Sequence, residues 1–263
     1  MLLPALSLCQ RELVRFLRQR NRVVGALLTP IVFWLLIGGG MGRSFTATSS
    51  AAGGDTRGYM HYFFPGTVLM ILLFTAIFST ISVIEDRREG FLQSVLVAPV
   101  NRMSAVLGKV LGGTILAVGQ AVIFLLLAPL VGVRFTTGGA ALALVVMVLV
   151  AFALTCLGLV IAWRMSSTQG FHAIMNLFLM PMWFMSGALF PASGAWKGLR
   201  YVMLANPLTY GLAALRRAID PHEAGALGLP GFGVSLLVTV GFAVVMFVLA
   251  GRVAESTVAA DLQ

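Results

Sequence analysis

A cluster of charged residues interrupts an otherwise apolar chain at residues 85–90, EDRREG, which we call the charged segment. Five of its six residues are charged, whereas 10% of the whole chain is charged. Its members are Glu85, Asp86, Arg87, Arg88, Glu89 and Gly90. Both signs of charge at one place could form ion pairs with a partner, whereas the alternative is a solvated loop.

The residues after the charged segment predict a short helix. Gly90 indicates a break, FLQSVLVA can form a helix with Phe91 and Leu92 on one apolar face, and Pro99 ends it. Such a helix could transmit force from a partner to the two apolar segments that it joins.

Other chemistry is sparse in this sequence. All nine acidic residues lie outside the long apolar windows, which counts against an ion-coupled transporter and against an enzyme with a membrane-embedded Asp-rich metal site. His61, His172 and His222 have no metal-site spacing, so we expect no metal and no catalytic residue. The sequence PHE at 221–223 is better explained as a polar turn than as the centre of a membrane enzyme.

Composition predicts an integral membrane protein. Hydrophobic residues make up 59% of the 263 residues, and six windows are long enough to span a bilayer. These windows are 23–41, 63–84, 110–133, 140–163, 171–190 and 232–250. The excess of Lys and Arg on the side of the N-terminus and the charged segment predicts that both termini are cytoplasmic. The net charge of +9 is then explained by membrane flanks, and we expect no nucleic-acid partner.

Two further segments flank the windows. Residues 1–22 predict an amphipathic helix with Arg11, Arg15 and Arg18 on one face, serving either as a membrane-surface anchor or as a brace for a cytoplasmic partner. Residues 191–215 are too apolar for a solvated loop. They predict two short re-entrant helices, with a lid on the membrane surface as the alternative.

Several motifs follow one another along the chain. IEDRREG at 84–90, PVNR at 99–102 and LGK at 107–109 resemble, in this order, the signature around a coupling helix in the type-2 ABC transporter permease family. PGTVLMILLFTAIFS at 65–79 resembles its second span, FLMPMWFMSGALFP at 178–191 its fifth span, and ANPLTYGLAALR at 205–216 the segment before its last span. The resemblance covers nearly the whole chain.

The resemblance implies an all-α membrane protein of six transmembrane helices. It implies an interface helix (1–22), a permease domain (23–251) with a coupling helix at about 86–99 and an outer re-entrant pair at about 191–215, and a cytoplasmic tail (252–263). It also implies a bacterial cytoplasmic membrane protein that pairs with a second copy of itself, sits among membrane lipid and docks two copies of an ATP-binding protein. ATP and Mg would be bound by that partner, with no cofactor in this chain.

The resemblance also assigns residues. Contact with the ATPase would fall on the charged segment with Phe91, Leu92 and Pro99, and on the interface helix. The pathway would be lined by Thr75, Ser79, Thr80, Asn176, Met180, Trp183, Phe184 and Met185, for which ordinary helix packing is the alternative. The outer gate would comprise Pro191, Asn206, Pro207 and Tyr210.

The predicted function is therefore the permease half of an ATP-driven exporter of an amphipathic drug-like or lipid-like substrate. Export of a polysaccharide or lipid-linked glycan is the alternative within the family. A passive channel or a membrane scaffold is the alternative outside it.

Overall fold

The computed structural model describes residues 2–51, 58–90, 102–133, 136–220 and 227–261, and all regular elements in these ranges are helices. The α-helices are α1 (Leu2–Arg18), α2 (Arg20–Ala51), α3 (Tyr59–Ser79), α4 (Ile81–Arg88), α5 (Arg102–Leu125), α6 (Thr137–Ala162), α7 (Thr168–Trp183), α8 (Lys197–Ala205), α9 (Pro207–Ile219) and α10 (Phe232–Asp261). Short 3₁₀ turns lie at Ala128–Val131 and Ala192–Gly194, and a π-turn lies at Phe184–Ala188.

Helix α3 forms the centre of the bundle. It packs against α2, α5 and α6, and 83% of the apolar window formed by α3 and α4 is buried. Only 17% of the corresponding windows of α2 and α10 is buried, so these two helices present most of their apolar surface outwards. Such all-round apolar helices are typical of membrane spans.

Thr80 separates helix α3 from helix α4. The Thr80 hydroxyl donates to Ile77 O (2.6 Å), and the Ser79 hydroxyl donates to Ala76 O (2.7 Å). Back-bonding of this kind bends helices, because the hydroxyl competes for a carbonyl of the preceding turn. The bend leads directly into the charged segment, whose residues 85–88 form the last half of α4.

Helix α1 is the helix predicted within residues 1–22, and it lies along α5. Its inward residues are Ala5, Cys9, Glu12 and Phe16, at helical spacing. Gly108 and Gly112 of α5 permit the close approach, because a Cβ at either would lie 2.7–2.9 Å from α1 atoms. Leu2 and Leu6 lie outside this inward face and are 70% and 56% exposed.

Five helical segments of the described chain are long and apolar enough to cross a membrane: Val23–Met41, Tyr59–Arg88, Met103–Leu125, Thr137–Ala162 and Phe232–Glu255. The sequence predicted six. The fifth predicted window, 171–190, instead contains the 16-residue α7 and the π-turn. At 1.5 Å per residue, α7 alone is about 24 Å long, less than the ~30 Å hydrocarbon layer. Gly187, at φ 87°, then turns the chain out of the helix.

Helices α8 and α9 fill the region predicted at 191–215. Asn206 separates them, and its side-chain oxygen caps α9 by accepting from Leu208 N (3.0 Å), while Pro207 occupies the first turn. The pair of helices is therefore present, although α9 continues to Ile219.

Candidate functional site

The charged segment lies at the junction of α1, α4 and α5. Asp86 is fully buried and accepts hydrogen bonds from both terminal nitrogens of Arg11 (2.7 and 3.1 Å), from Arg15 (2.7 Å) and from Lys109 (2.6 Å). Lys109 also donates to Glu12 (2.8 Å). We call Arg11, Glu12, Arg15, Asp86 and Lys109 the ion cluster. It joins α1 to α4 and α5, which come much later in the sequence.

Two further acidic side chains pair with Arg15 at the edge of the ion cluster. Arg15 bridges to Glu85 (3.0 Å) and to Glu89 (3.3 Å), so the acids of the charged segment face α1. The hydrogen bond to the Asp86 carboxylate raises the pKa of the Arg11 guanidinium above its ordinary value. Burial raises the pKa of the nearby Cys9 thiol.

The two arginines of the charged segment face the opposite way, towards the connection between α6 and α7. Arg87 donates to Trp163 O (2.7 Å) and, at 3.5 Å, to Met165 O, and its guanidinium lies 5.7 Å from the centre of the Trp163 ring. Arg88 donates to Ser166 O (3.0 Å). All five charged side chains of the charged segment thus have partners within the chain, whereas Arg18 is exposed at the end of α1, and Phe91, Leu92 and Pro99 lie outside the described residues.

A cavity of about 690 Å³ lies beside the charged segment. Its walls are the end of α1, the first half of α2, the second half of α3, α4 and most of α7. The lining is largely apolar, with Phe16, Pro30, Phe74, Phe78 and Met180. The lining also contains polar residues, namely Gln19, Thr29, Thr75, Ser79, Glu85, Thr168, His172 and Asn176. This volume and this lining suit an amphipathic molecule.

Four of the eight predicted pathway residues line this cavity: Thr75, Ser79, Asn176 and Met180. Thr80 does not, because its side chain turns towards α6 and would lie 2.8 Å from a Cβ at Gly158. Trp183 is fully buried and donates to Gly66 O (2.8 Å), which holds α7 against α3. Phe184 and Met185 belong to the π-turn beyond the cavity.

One polar contact behind the cavity was not anticipated from the sequence. The Thr75 hydroxyl donates to the side-chain oxygen of Gln120 (2.6 Å), and Gln120 is buried in the last third of α5. The sequence did contain a signal for it, since Gln120 is a polar residue within the apolar window 110–133. A buried amide needs a hydrogen-bonding partner.

The predicted outer-gate residues lie around α8 and α9. The Tyr210 hydroxyl donates to Leu204 O (2.9 Å), and Asn206 and Pro207 form the start of α9, while Pro191 precedes the second 3₁₀ turn. Arg216 was missed. It is buried, stacks at 4.2 Å on the Tyr62 ring and donates to Tyr62 O (2.8 Å), which binds α9 to α3.

No group of three or more metal-ligating side chains occurs among the described residues. The fold and these sites define a multi-pass helical membrane protein with a buried ionic junction beside an apolar cavity. The family model for "ABC-2 type transporter" matches residues 5–219, and the chain belongs to that family.

A relative supports the assignment. The protein named "Putative transport permease ycf38" of Cyanophora paradoxa is 23% identical over 211 residues, which cover 80% of this chain and 71% of the relative. The chain is therefore an ABC-2 permease, a non-catalytic transmembrane subunit of a kind that works with ATP-binding subunits.

Proposed function

We propose that this permease exports an amphipathic drug-like or lipid-like molecule and that the cavity forms part of the pathway. The cavity is the observation that carries the proposal. It joins the first two predicted spans and α7, and it places polar residues such as Thr75, Ser79 and Asn176 among apolar ones such as Phe16, Phe74 and Met180. A mixed lining offers both apolar contact and hydrogen bonds, so it favours an amphipathic substrate over a polysaccharide.

The pathway is completed, in this proposal, by a second copy of the chain. Helix α7 carries Asn176 on the cavity side and leaves Leu177 and Phe178 71% and 64% exposed beside it. Pairing two such faces would enclose the cavities and remove this apolar surface from lipid. Helices α8 and α9 would then form the outer, re-entrant closure.

Energy is supplied, in this proposal, by two ATP-binding subunits on the cytoplasmic side of a bacterial inner membrane. The ion cluster supports this arrangement, because it connects the α1 helix to the spans through buried charge pairs. The outward-facing parts of α1 and of the charged segment, together with residues 91–99, would form the docking surface. Both termini would lie on the same side.

Transport by reconstituted protein tests this proposal. The chain and its ATP-binding subunit are placed in proteoliposomes, and ATP-dependent uptake of the amphipathic dye rhodamine 6G is followed in inside-out vesicles. Asn176→Leu removes one hydrogen-bonding group from the cavity, so we expect a KM increase of about 2- to 12-fold, the equivalent of one net hydrogen bond.

The matched control is Val145→Leu, at a 53% exposed position on α6 that does not line the cavity. It should leave the KM unchanged. Equal kinetics for both variants would contradict the assignment of the cavity. Transport of a lipid-linked sugar with none of the dye would favour the glycan alternative.

A further inference from the structure

The charged segment holds two walls of the cavity at once. On one side, Asp86 binds Arg11 and Arg15 of α1, and Phe16 of α1 and Gln19 directly after it line the cavity. On the other side, Arg87 and Arg88 bind the carbonyl groups of residues 163–166. Glu85 itself lines the cavity between these walls.

The carbonyl groups bound by the arginines lie immediately before α7. Ser167 caps this helix, since its hydroxyl oxygen accepts from Gly170 N (3.2 Å), and Thr168 begins it. Thr168, His172, Asn176 and Met180 follow at one-turn spacing and form the α7 wall of the cavity. A displacement of the connection is therefore transmitted to this wall with little flexible chain in between.

We infer that Arg87, assisted by Arg88, is a positioning residue that makes the α7 wall of the cavity move with α4. This inference rests on the proposed function, because it treats the cavity as the pathway. It assigns these two arginines to a link within the chain, in addition to any contact with a partner.

The chemistry of the contact suits a rigid link. A guanidinium is planar and presents several fixed N–H donors, so it can hold two backbone carbonyls in one geometry. Arg87 reaches two carbonyls of the same connection, at 2.7 and 3.5 Å, and lies over the Trp163 ring, which is itself buried. These carbonyls follow the end of α6, where a cation is also electrostatically favoured.

A purely structural role would be the alternative, in which Arg87 only neutralises the end of α6. The two roles differ in what is lost when the bonds are removed. A stabilising cap affects the amount of folded protein, whereas a positioning residue affects how far the cavity walls move when nucleotide binds.

The test measures that movement directly. Spin labels are attached to cysteines at Gln19 and Thr168, on opposite cavity walls, with Cys9 and Cys156 replaced by alanine. Distances are recorded by pulsed electron paramagnetic resonance for the complex with its ATP-binding subunit, with and without ATP and vanadate. We expect the parent protein to change distance on trapping and Arg87→Gln to lose that change.

The control is Arg164→Gln, in the same connection. Arg164 is exposed, and its side chain makes no hydrogen bond or ion pair with the part of the chain that the structure describes. The substitution removes one positive charge from the connection that Arg87 contacts, and it should leave the distance change intact. Arg87→Lys keeps the charge and one donor bond, and it should restore part of the change. If Arg87→Gln does not fold, the distances between the two spin labels are measured in Arg87→Lys instead.

Transport provides the second readout. Arg87→Gln should lower dye transport per ATP hydrolysed by about fivefold or more, the lower range of allosteric coupling. A normal distance change and normal transport in Arg87→Gln would overturn the inference. If Asn176→Leu still alters the KM for the dye, only the inference fails; if the dye kinetics are insensitive to Asn176 as well, the proposed function fails with it.

Discussion

Replacing Asp86 by asparagine should destabilise the protein by about 3 kcal/mol, because it removes the shared anion of the ion cluster. Asp86 has no exposed surface and accepts hydrogen bonds from three cationic side chains at 2.6–3.1 Å. Asparagine keeps the shape, but it offers one acceptor oxygen and turns an N–H group towards cationic donors.

The size of this loss of stability depends on the solvent exposure and the ion pairs that each cation retains after the substitution. Removing one member of a buried ion pair costs about 3–5 kcal/mol. The low end applies here because the side chains of Arg11 and Arg15 are 30% and 22% exposed to solvent. Lys109 also retains its ion pair with Glu12 at 2.8 Å. At about 2–4 °C per kcal/mol for a chain of this size class, the apparent Tm should fall by about 6–12 °C.

Thermal unfolding in detergent, followed by tryptophan fluorescence, measures this shift. Glu89→Gln is the matched control, because Glu89 also pairs with Arg15 but its side chain is 60% exposed. Such a pair contributes at most about 1 kcal/mol. Equal Tm shifts for the two variants would refute the reasoning that burial makes Asp86 the dominant anion.

Two more predictions concern packing and thiol reactivity. Gly158→Val should lower the apparent Tm by several degrees, since overpacking costs about 1–3 kcal/mol and a Cβ at Gly158 would lie 2.8–3.1 Å from Thr80 and Ile77. Gly241→Val, with nothing within 4 Å, is its control, and equal shifts would contradict the close contact of α3 and α6. Cys9 should be alkylated by iodoacetamide far more slowly than in denatured protein, because it is 5% exposed and burial raises its pKa; equal rates would show that α1 does not remain packed on α5.

The apolar windows predicted most of the helices because a membrane span needs a long apolar run, and such runs are visible in sequence. The fifth window was wrong in its helix length. Its composition is as apolar as that of the others, but the π-turn at Phe184–Ala188 and the positive φ of Gly187 end the regular helix early. Neither feature leaves a trace in hydropathy.

The direction in which individual side chains point was the feature that the sequence predicted least well. A helix that is apolar on all sides gives no periodic signal for the cavity side. Thus Asn176 and Ser79, which the resemblance assigned to the pathway, line the cavity, whereas Thr80, assigned with them, lies against α6 because Gly158 leaves room there. Tertiary packing decides between such neighbours.

The charged segment was recognised by composition, but its partners were not. Asp86 binds residues more than 70 positions earlier and Lys109, 23 positions later. The sequence placed Lys109 in a motif and the arginines of α1 on one face of an amphipathic helix, without a partner in this chain. The close approach of α1 to Gly108 and Gly112 brings them together.

Purification from the native membrane tests the central claim most directly. The tagged chain is extracted in mild detergent, and the proteins that remain bound after size-exclusion chromatography are identified and quantified by mass spectrometry. The account predicts an ATP-binding cassette subunit in one-to-one ratio with the permease. A permease that elutes without any ATP-binding subunit, under conditions that preserve other transporter complexes of the same membrane, would contradict it.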